Sequence, residues 1–346
     1  MEFKIKTMKN INSKICYFLL LFTLLSSCKK EFSKEPDSIK SLIQTSQSLI
    51  RYKDEIFANT AIKVTKDVIY RNIYDYAPAD SIKQTLKLNF YESENDIIIK
   101  RALIIFIHGG GFQGGSKDDN GNDSLCRSFA KHGFVVASLN YRLDPSLGPK
   151  YSAGTLTYKH QAKALYRATQ DARFATRFLK KNAGVGKIDT NKMFIGGASA
   201  GGLTALHSIY LDDNEVDQGV INQTVMGKLN YGGFNLSSKV KAAFAIAGGL
   251  INVNYIQAGN TPAACTHSTG DNLIPIDYGL EAFNTMYVYG GRGVCNRLTQ
   301  LGIFNSFKQY NDLIVPRPPI IGAYWTHGAS INYDIQFFCD FIYSLL

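Results

Sequence analysis

One stretch, Asn191 to Leu206 (NKMFIGGASAGGLTAL), constrains this chain more than any other. Its apolar start, Lys192 to Ile195, reads as a buried strand, and a helix-forming run, Leu203 to Tyr210, closes it. Between them lies Gly196-Gly197-Ala198-Ser199-Ala200-Gly201-Gly202, giving strand, G-x-S-x-G, helix. A serine there sits on a sharp strand-to-helix turn with unfavourable backbone angles, so its hydroxyl projects clear of both elements. The turn brings the flanking segments together, and side chains at 197 and 201 would clash, hence glycine. The helix aims its N-terminus at Ser199, and its unpaired N–H groups favour negative charge beside that hydroxyl.

The rest of the chain supplies a sheet for this turn. Arg101 to Ile107 (RALIIFI) is continuously apolar, as fully buried parallel strands are, and runs into His108-Gly109-Gly110-Gly111-Phe112. Further strands are expected at Asp67–Ala77, Phe134–Asn140, Val240–Ala247, Ala263–His267 and Ile303–Tyr310. Thr85 to Tyr91 alternates, with Leu86, Leu88 and Phe90 on one face, as in a half-buried antiparallel strand. Helices are expected over Lys159–Asn182 and Ile331–Leu346, and the polar insertion Asp212–Ser238 reads as a small lid. Strands alternating with helices predict a three-layer α/β fold, with a mostly parallel sheet and the site at the strands' C-terminal ends.

The first residues predict export. Lys4, Lys6, Lys9 and Lys14 precede an apolar run, Ile15 to Leu25, too short to span a bilayer and suited to a signal-peptide core. It ends in Leu25-Ser26-Ser27-Cys28, which resembles a bacterial lipobox, and implies removal of residues 1–27 and lipid attachment at Cys28. Residues 28–60 are expected to form a tether and short helix, and 61–346 a single domain. Without residues 1–27 the chain keeps 34 basic and 27 acidic residues, a net charge of +7. The basic residues are scattered, with no arginine-rich helix, so no nucleic-acid partner is expected. Cys126, Cys265, Cys295 and Cys339 lack a C-x-x-C spacing, which argues against zinc. A bridge between Cys265 and Cys295 is one pairing open to an exported chain.

With HGGGF, then Tyr141-Arg142, then GGASAGG in that order, the chain resembles α/β-hydrolase carboxylesterases of the HGGG type, from about Thr85 to His327. The resemblance implies Ser199 as nucleophile, with the backbone N–H groups of Gly110, Gly111 and Ala200 as oxyanion hole. Such chemistry needs a base, an orienting carboxylate and preorganised N–H donors. The serine, acid, histidine order of that fold makes His327, in the loop YWTHG, the base. Of the other histidines, His108 is expected to brace the glycine loop, His207 to pack, and His267 to bond locally. His132 and His160 read as exposed or loop-adjacent. Asp271, in HSTGDNLIP, matches the acid turn of the family apart from Ser268 and Gly270; Asp277 and Asp312 are the alternatives. Phe112, Phe234, Tyr324 and Trp325 are candidate pocket aromatics.

The implied activity is a carboxylic ester hydrolase without metal or organic cofactor, acting on a small-molecule or carbohydrate-linked ester. The same triad serves peptidases, lactonases and amidases, and a surface binding module on this fold is the other reading. The lysine- and asparagine-rich leader with LSSC resembles Bacteroidetes lipoproteins, placing the protein at the outer membrane, on its periplasmic face or at the cell surface.

Overall fold

Eight strands pair in the order β1-β2-β4-β3-β5-β6-β8-β11. They are β1 (Ile62–Asp75), β2 (Ile82–Ser93), β3 (Arg101–Ile107), β4 (Val135–Leu139), β5 (Ile188–Ala198), β6 (Ala242–Ile246), β8 (Ala263–Ser268) and β11 (Asn305–Tyr310). β1/β2 and β2/β4 pair antiparallel, and every later pairing is parallel. A small antiparallel sheet adds β7 (Gly249–Leu250), β10 (Tyr287–Gly290) and β9 (Tyr278–Leu280). The helices are α1 (Asn120–Lys131), α2 (Tyr158–Lys181), α3 (Ala200–Tyr210), α4 (Gln223–Met226), α5 (Gly291–Gln300) and α6 (Ile331–Tyr343). This computed structural model describes residues 50–75, 82–144, 157–282, 285–311 and 331–346. The expected leader, Cys28, most of the tether, and Asp312, Tyr324, Trp325 and His327 lie outside them.

The expected mostly parallel α/β architecture is the one observed, and burial explains which strands were legible. All seven residues of β3 and all five of β4 are buried, because helices cover both faces of the central sheet. One core joins α2, α3 and α5 to the sheet through Leu103, Ile105, Ile195 and Leu206; the other joins α1 and α6 through Ile104, Phe106, Phe244 and Phe338. β2 departs from the half-buried expectation: Leu86 and Leu88 are buried on one face, and Asn89 and Tyr91 on the other. The helix α5 escaped the sequence reading because its first turn carries Gly291 and Gly293. A Cβ at Gly291 would lie 2.9 Å from the Cys265 Cβ, so glycine lets this helix N-terminus press against β8.

Buried charge fixes the β1 edge. Asp171 on α2 is fully buried and takes Arg71 Nη1 at 2.6 Å on one oxygen, and Arg142 N (2.9 Å) and Nε (2.8 Å) on the other. The insertion Asp212–Ser238 is anchored along α2: Gln170 donates to the carbonyls of Met226, Gly227 and Lys228, and Tyr166 to that of Gly227. Phe234 packs on Phe174 and Phe178, which makes it part of this interface. The four cysteines Cys126, Cys265, Cys295 and Cys339 are free and buried, the Cys265 and Cys295 thiols are neighbours, and Cys295 Sγ donates to the Ser306 carbonyl at 3.5 Å. The Cys265–Cys295 bridge is therefore absent, although the two thiols do meet.

His207 packs as expected and gives the fold a pH dependence. It is buried on α3, with Nδ1 2.8 Å from the Leu203 carbonyl, and Ile251 N donates to its Nε2. Burial pushes its pKa down to about 4. The unfolded imidazole titrates near pH ~6.5, so between those values only the unfolded chain takes up the proton. Stability from this residue is complete above pH ~6.5 and falls as pH drops towards 4, by on the order of 3 kcal/mol in all. Urea melts at pH 7 and pH 4.5 should show the loss, and His207→Gln should flatten it; an equal slope in the variant would refute the assignment.

Candidate active site

Ser199 stands between β5 and α3 with φ 54° and ψ −120°, a combination that glycine adopts freely and side-chain-bearing residues avoid. Two bonds hold the turn: Ser199 N donates to the Ile246 carbonyl (2.8 Å), and Leu203 N to the Ser199 carbonyl (2.9 Å). The flanking glycines are required, partly for a reason beyond the flanking segments. A Cβ on Gly197 would lie 2.5 Å from Gly201, as expected, but one on Gly201 would lie 2.0 Å from the Ile107 carbonyl oxygen. It is β3, not only the strand and helix of the turn, that leaves no room.

The loop leaving β3 lies beside this turn. Gly110 has φ 114°, Gly111 φ 60° and Phe112 φ 64°. A Cβ at Gly110 would come within 2.2 Å of the Gly114 carbonyl oxygen, while Gln113 and Gly114 donate back to the Gly110 carbonyl. His108 braces the loop as expected. Its ring stacks on Tyr141 at 4.4 Å, its Nδ1 lies 2.7 Å from the Gly109 carbonyl oxygen, and Tyr141 Oη donates to its own carbonyl. Burial lowers its pKa, so the neutral ring donates Nδ1–H to Gly109. Among the described residues, the N–H groups of Gly110 and Gly111 donate to no backbone carbonyl. Ala200, buried at the first position of α3, has an N–H that the helix itself leaves unpaired. Phe112 is 3% exposed and lies edge-on to Tyr141, so it packs within the loop's support.

Asp271 follows β8, two strands from β5, or about 10 Å across the sheet at ~4.8 Å per strand. Its carboxylate is fully buried: Oδ1 accepts from Leu273 N and Ile274 N, both at 2.9 Å, and Oδ2 lies 3.1 Å from His267 Nε2. Gly291 N donates to His267 Nδ1 at 3.1 Å, so the proton sits on Nε2, which serves Asp271 and the Ile274 carbonyl. His267 does bond locally, and its bond fixes the acid turn, a role its sequence spacing alone did not reveal. The alternative acid, Asp277, is an exposed partner of Arg292. The remaining histidines have structural roles: His132 caps α1 and is buried rather than exposed, and His160 Nδ1 lies 2.9 Å from Thr157 Oγ1 at the start of α2. The structure thus brings Ser199, Gly110, Gly111, Ala200 and Asp271 to one end of the sheet. No group of three or more potential metal ligands occurs among the described residues.

Comparison with known proteins bears on the fold. The BD-FAE family profile matches residues 88–231, a span that holds the glycine loop and the serine turn and stops before Asp271. No curated protein matches the sequence. Among solved structures, Thermogutta terrifontis esterase 2 phosphorylated by paraoxon is similar at 21% identity and TM-score 0.51, over 73% of this chain and 84% of that one. The same esterase phosphoramylated by tabun is similar at 18% identity and TM-score 0.55, over 83% of this chain and 96% of that one. Its propionate-bound form is similar at 20% identity and TM-score 0.51, over 76% and 86%. In fold, this chain is an α/β hydrolase.

Proposed function

We propose that the protein is a serine hydrolase of carboxylic esters. The observation that carries this is Ser199, held at φ 54° on a helix N-terminus beside the glycine loop. Ser199 Oγ attacks the ester carbonyl carbon while His327, assigned from chain order, takes its proton. The carbonyl oxygen becomes an oxyanion facing the N–H groups of Gly110, Gly111 and Ala200, each typically worth about 2.7–4 kcal/mol in such a transition state. The imidazolium then protonates the departing alkoxide, leaving an acyl-Ser199. Water, deprotonated by His327, attacks the acyl carbon, and collapse of the second oxyanion expels Ser199 Oγ, which takes the proton back from the imidazolium as the acid is released. Asp271 holds the imidazole in the productive tautomer.

Paraoxon phosphorylates the similar esterase from Thermogutta terrifontis, which supports the same test here. Paraoxon should phosphorylate Ser199 in the folded protein, as read by peptide mass spectrometry, and leave Ser199→Ala unlabelled. A folded wild type that neither labels nor turns over esters would favour the binding-module reading. The substrate we assign is a small-molecule or carbohydrate-linked ester. The leader and LSSC support an exported lipoprotein anchored through Cys28 at the outer membrane. Palmitate labelling that persists in Cys28→Ala would refute the anchor. Among the described residues, no helix is long and apolar enough to cross a membrane.

A further inference from the structure

The three most exposed large apolar side chains among the described residues meet at one end of the sheet. Val185 is 88% exposed, Ile99 72% and Ile97 67%. Ile97 and Ile99 lie in the loop from β2 to β3, and Val185 in the loop from α2 to β5. β3 and β5 are neighbours, with Arg101 opposite Ile188 at their N-terminal ends. Arg101 also ties the two loops: its N donates to the Lys187 carbonyl (2.9 Å) and its Nη2 to that of Gly186 (2.7 Å). The exposed ring of Phe304, just before β11, lies at the same end. Single exposed apolar residues are ordinary, but a group of them on tied loops marks a surface that is covered in use.

Two observations identify the cover. The first is charge. Lys100 and Lys187 are exposed on the same two loops, and Lys181 is exposed at the end of α2. The acids nearby are Glu94 and the half-buried Asp189, while Asp96 and Glu92 are engaged by Arg51 and Arg101. Aliphatic side chains rimmed by lysines suit the boundary between anionic headgroups and acyl chains. The second is the path of the chain. Arg51 is buried at this end, with Nη1 donating to Asp96 Oδ1 (3.1 Å) and Nη2 to the Gly133 carbonyl (2.6 Å). Beside it Tyr52 Oη accepts from Ala102 N at 2.8 Å. The 22 residues from Cys28 to Leu49 therefore join the domain next to Ile97, not at the serine end. Their full reach is about 75 Å at ~3.3–3.6 Å per residue. A leash of that length holds an anchored domain at high local concentration against its bilayer, so a weak patch is enough to orient it.

We propose that this end of the molecule, with Ile97, Ile99 and Val185 at its centre, docks on the phospholipid surface to which Cys28 anchors the chain. The proposal rests on the lipoprotein reading of LSSC. Docking also orients the site. β5 runs from Ile188 to Ala198, about 33 Å at ~3.3 Å per residue, so Ser199 stands at the far end of the sheet and faces the water. The serine then takes its ester from the aqueous side, not out of the bilayer.

The full chain on vesicles of phosphatidylethanolamine and phosphatidylglycerol with brominated acyl chains tests the docking. Ile99→Trp and Val185→Trp report from the patch. Tyr287→Trp is the control, exposed on β10, which leads into Gly291 beside His267 at the serine end. The wild type, with Trp325 as its one tryptophan, sets the baseline. Emission from positions 99 and 185 should shift to the blue and be quenched on the vesicles, and emission from position 287 should do neither. Lys100→Glu with Lys187→Glu, added to Val185→Trp, should cut the docked population about tenfold and restore most of the emission. All the replaced side chains are exposed, so melting temperatures should match the wild type. Flotation with no quenching at 99 and 185, or with equal quenching at 287, would overturn the docking face and leave the anchor standing. Blue-shifted emission from position 99 before vesicles are added would give the patch to a second copy of the chain, and would overturn it too. Flotation with the same quenching pattern in Cys28→Ala would strike the lipid anchor and support the face by itself; a wild type that does not float would strike both.

Discussion

Replacing Ser199 by alanine is expected to lower kcat/KM for p-nitrophenyl acetate, butyrate and octanoate by about 10⁴-fold or more, with the fold intact. The nucleophile and its base act as a unit, so removing the hydroxyl leaves only binding and the oxyanion donors to work on bound water. Stability should move the other way under a different substitution. Ser199 holds φ 54° and ψ −120°, a strain of about 1–3 kcal/mol for a residue with a side chain. Ser199→Gly removes that strain and gives back part of it as unfolded-chain entropy, so a net gain of about 1 kcal/mol is expected. Thermal melts and initial rates on the same samples measure both. A Ser199→Ala protein retaining more than a few per cent of activity would remove Ser199 from the mechanism.

Asp171→Ala is expected to destabilise the fold by about 3–5 kcal/mol. The cost comes from what is left behind. Asp171 is fully buried, and its removal takes the shared counter-charge from the buried guanidinium groups of Arg71 and Arg142 and the acceptor from the Arg142 N–H. A protein of this size loses roughly 2–4 °C of melting temperature per kcal/mol, so a shift of about 10 °C is expected. Asp171→Asn keeps an acceptor for one arginine and should cost less. If both variants melted like the wild type, the buried triad would carry no stability.

These two residues differ in how much of them the sequence disclosed. Ser199 announces itself because the residues its turn uses are neighbours in the chain: apolar residues before, glycines at 197 and 201, a helix-forming run after, although it is β3 that excludes a side chain at 201. The buried strands β3 and β4 are legible for a similar reason, since cover on both faces imposes an unbroken apolar run. Asp171 has no such signature. It lies in a helical run of mixed character, and its partners sit 100 and 29 residues away. Only the fold brings them together.

The acid turn divides the same way. Asp271 is recognisable in HSTGDNLIP, because its Oδ1 bonds Leu273 N and Ile274 N in the same short turn. The part of His267 depends on Gly291, the first residue of a helix hidden by its own glycines. Phe234 likewise packs on Phe174 and Phe178 of α2, a contact its own segment does not forecast.

By itself, then, the sequence determined the serine turn, the glycine loop, the alternation of buried strands and helices, and the acid turn, because each is a local constraint on backbone angles or on burial. The strand order, the counter-ion shared by Arg71 and Arg142, and the hold of His267 on Asp271 came only with the folded chain. Those depend on which distant segments meet when water is excluded, and such meetings leave no period or spacing in the chain.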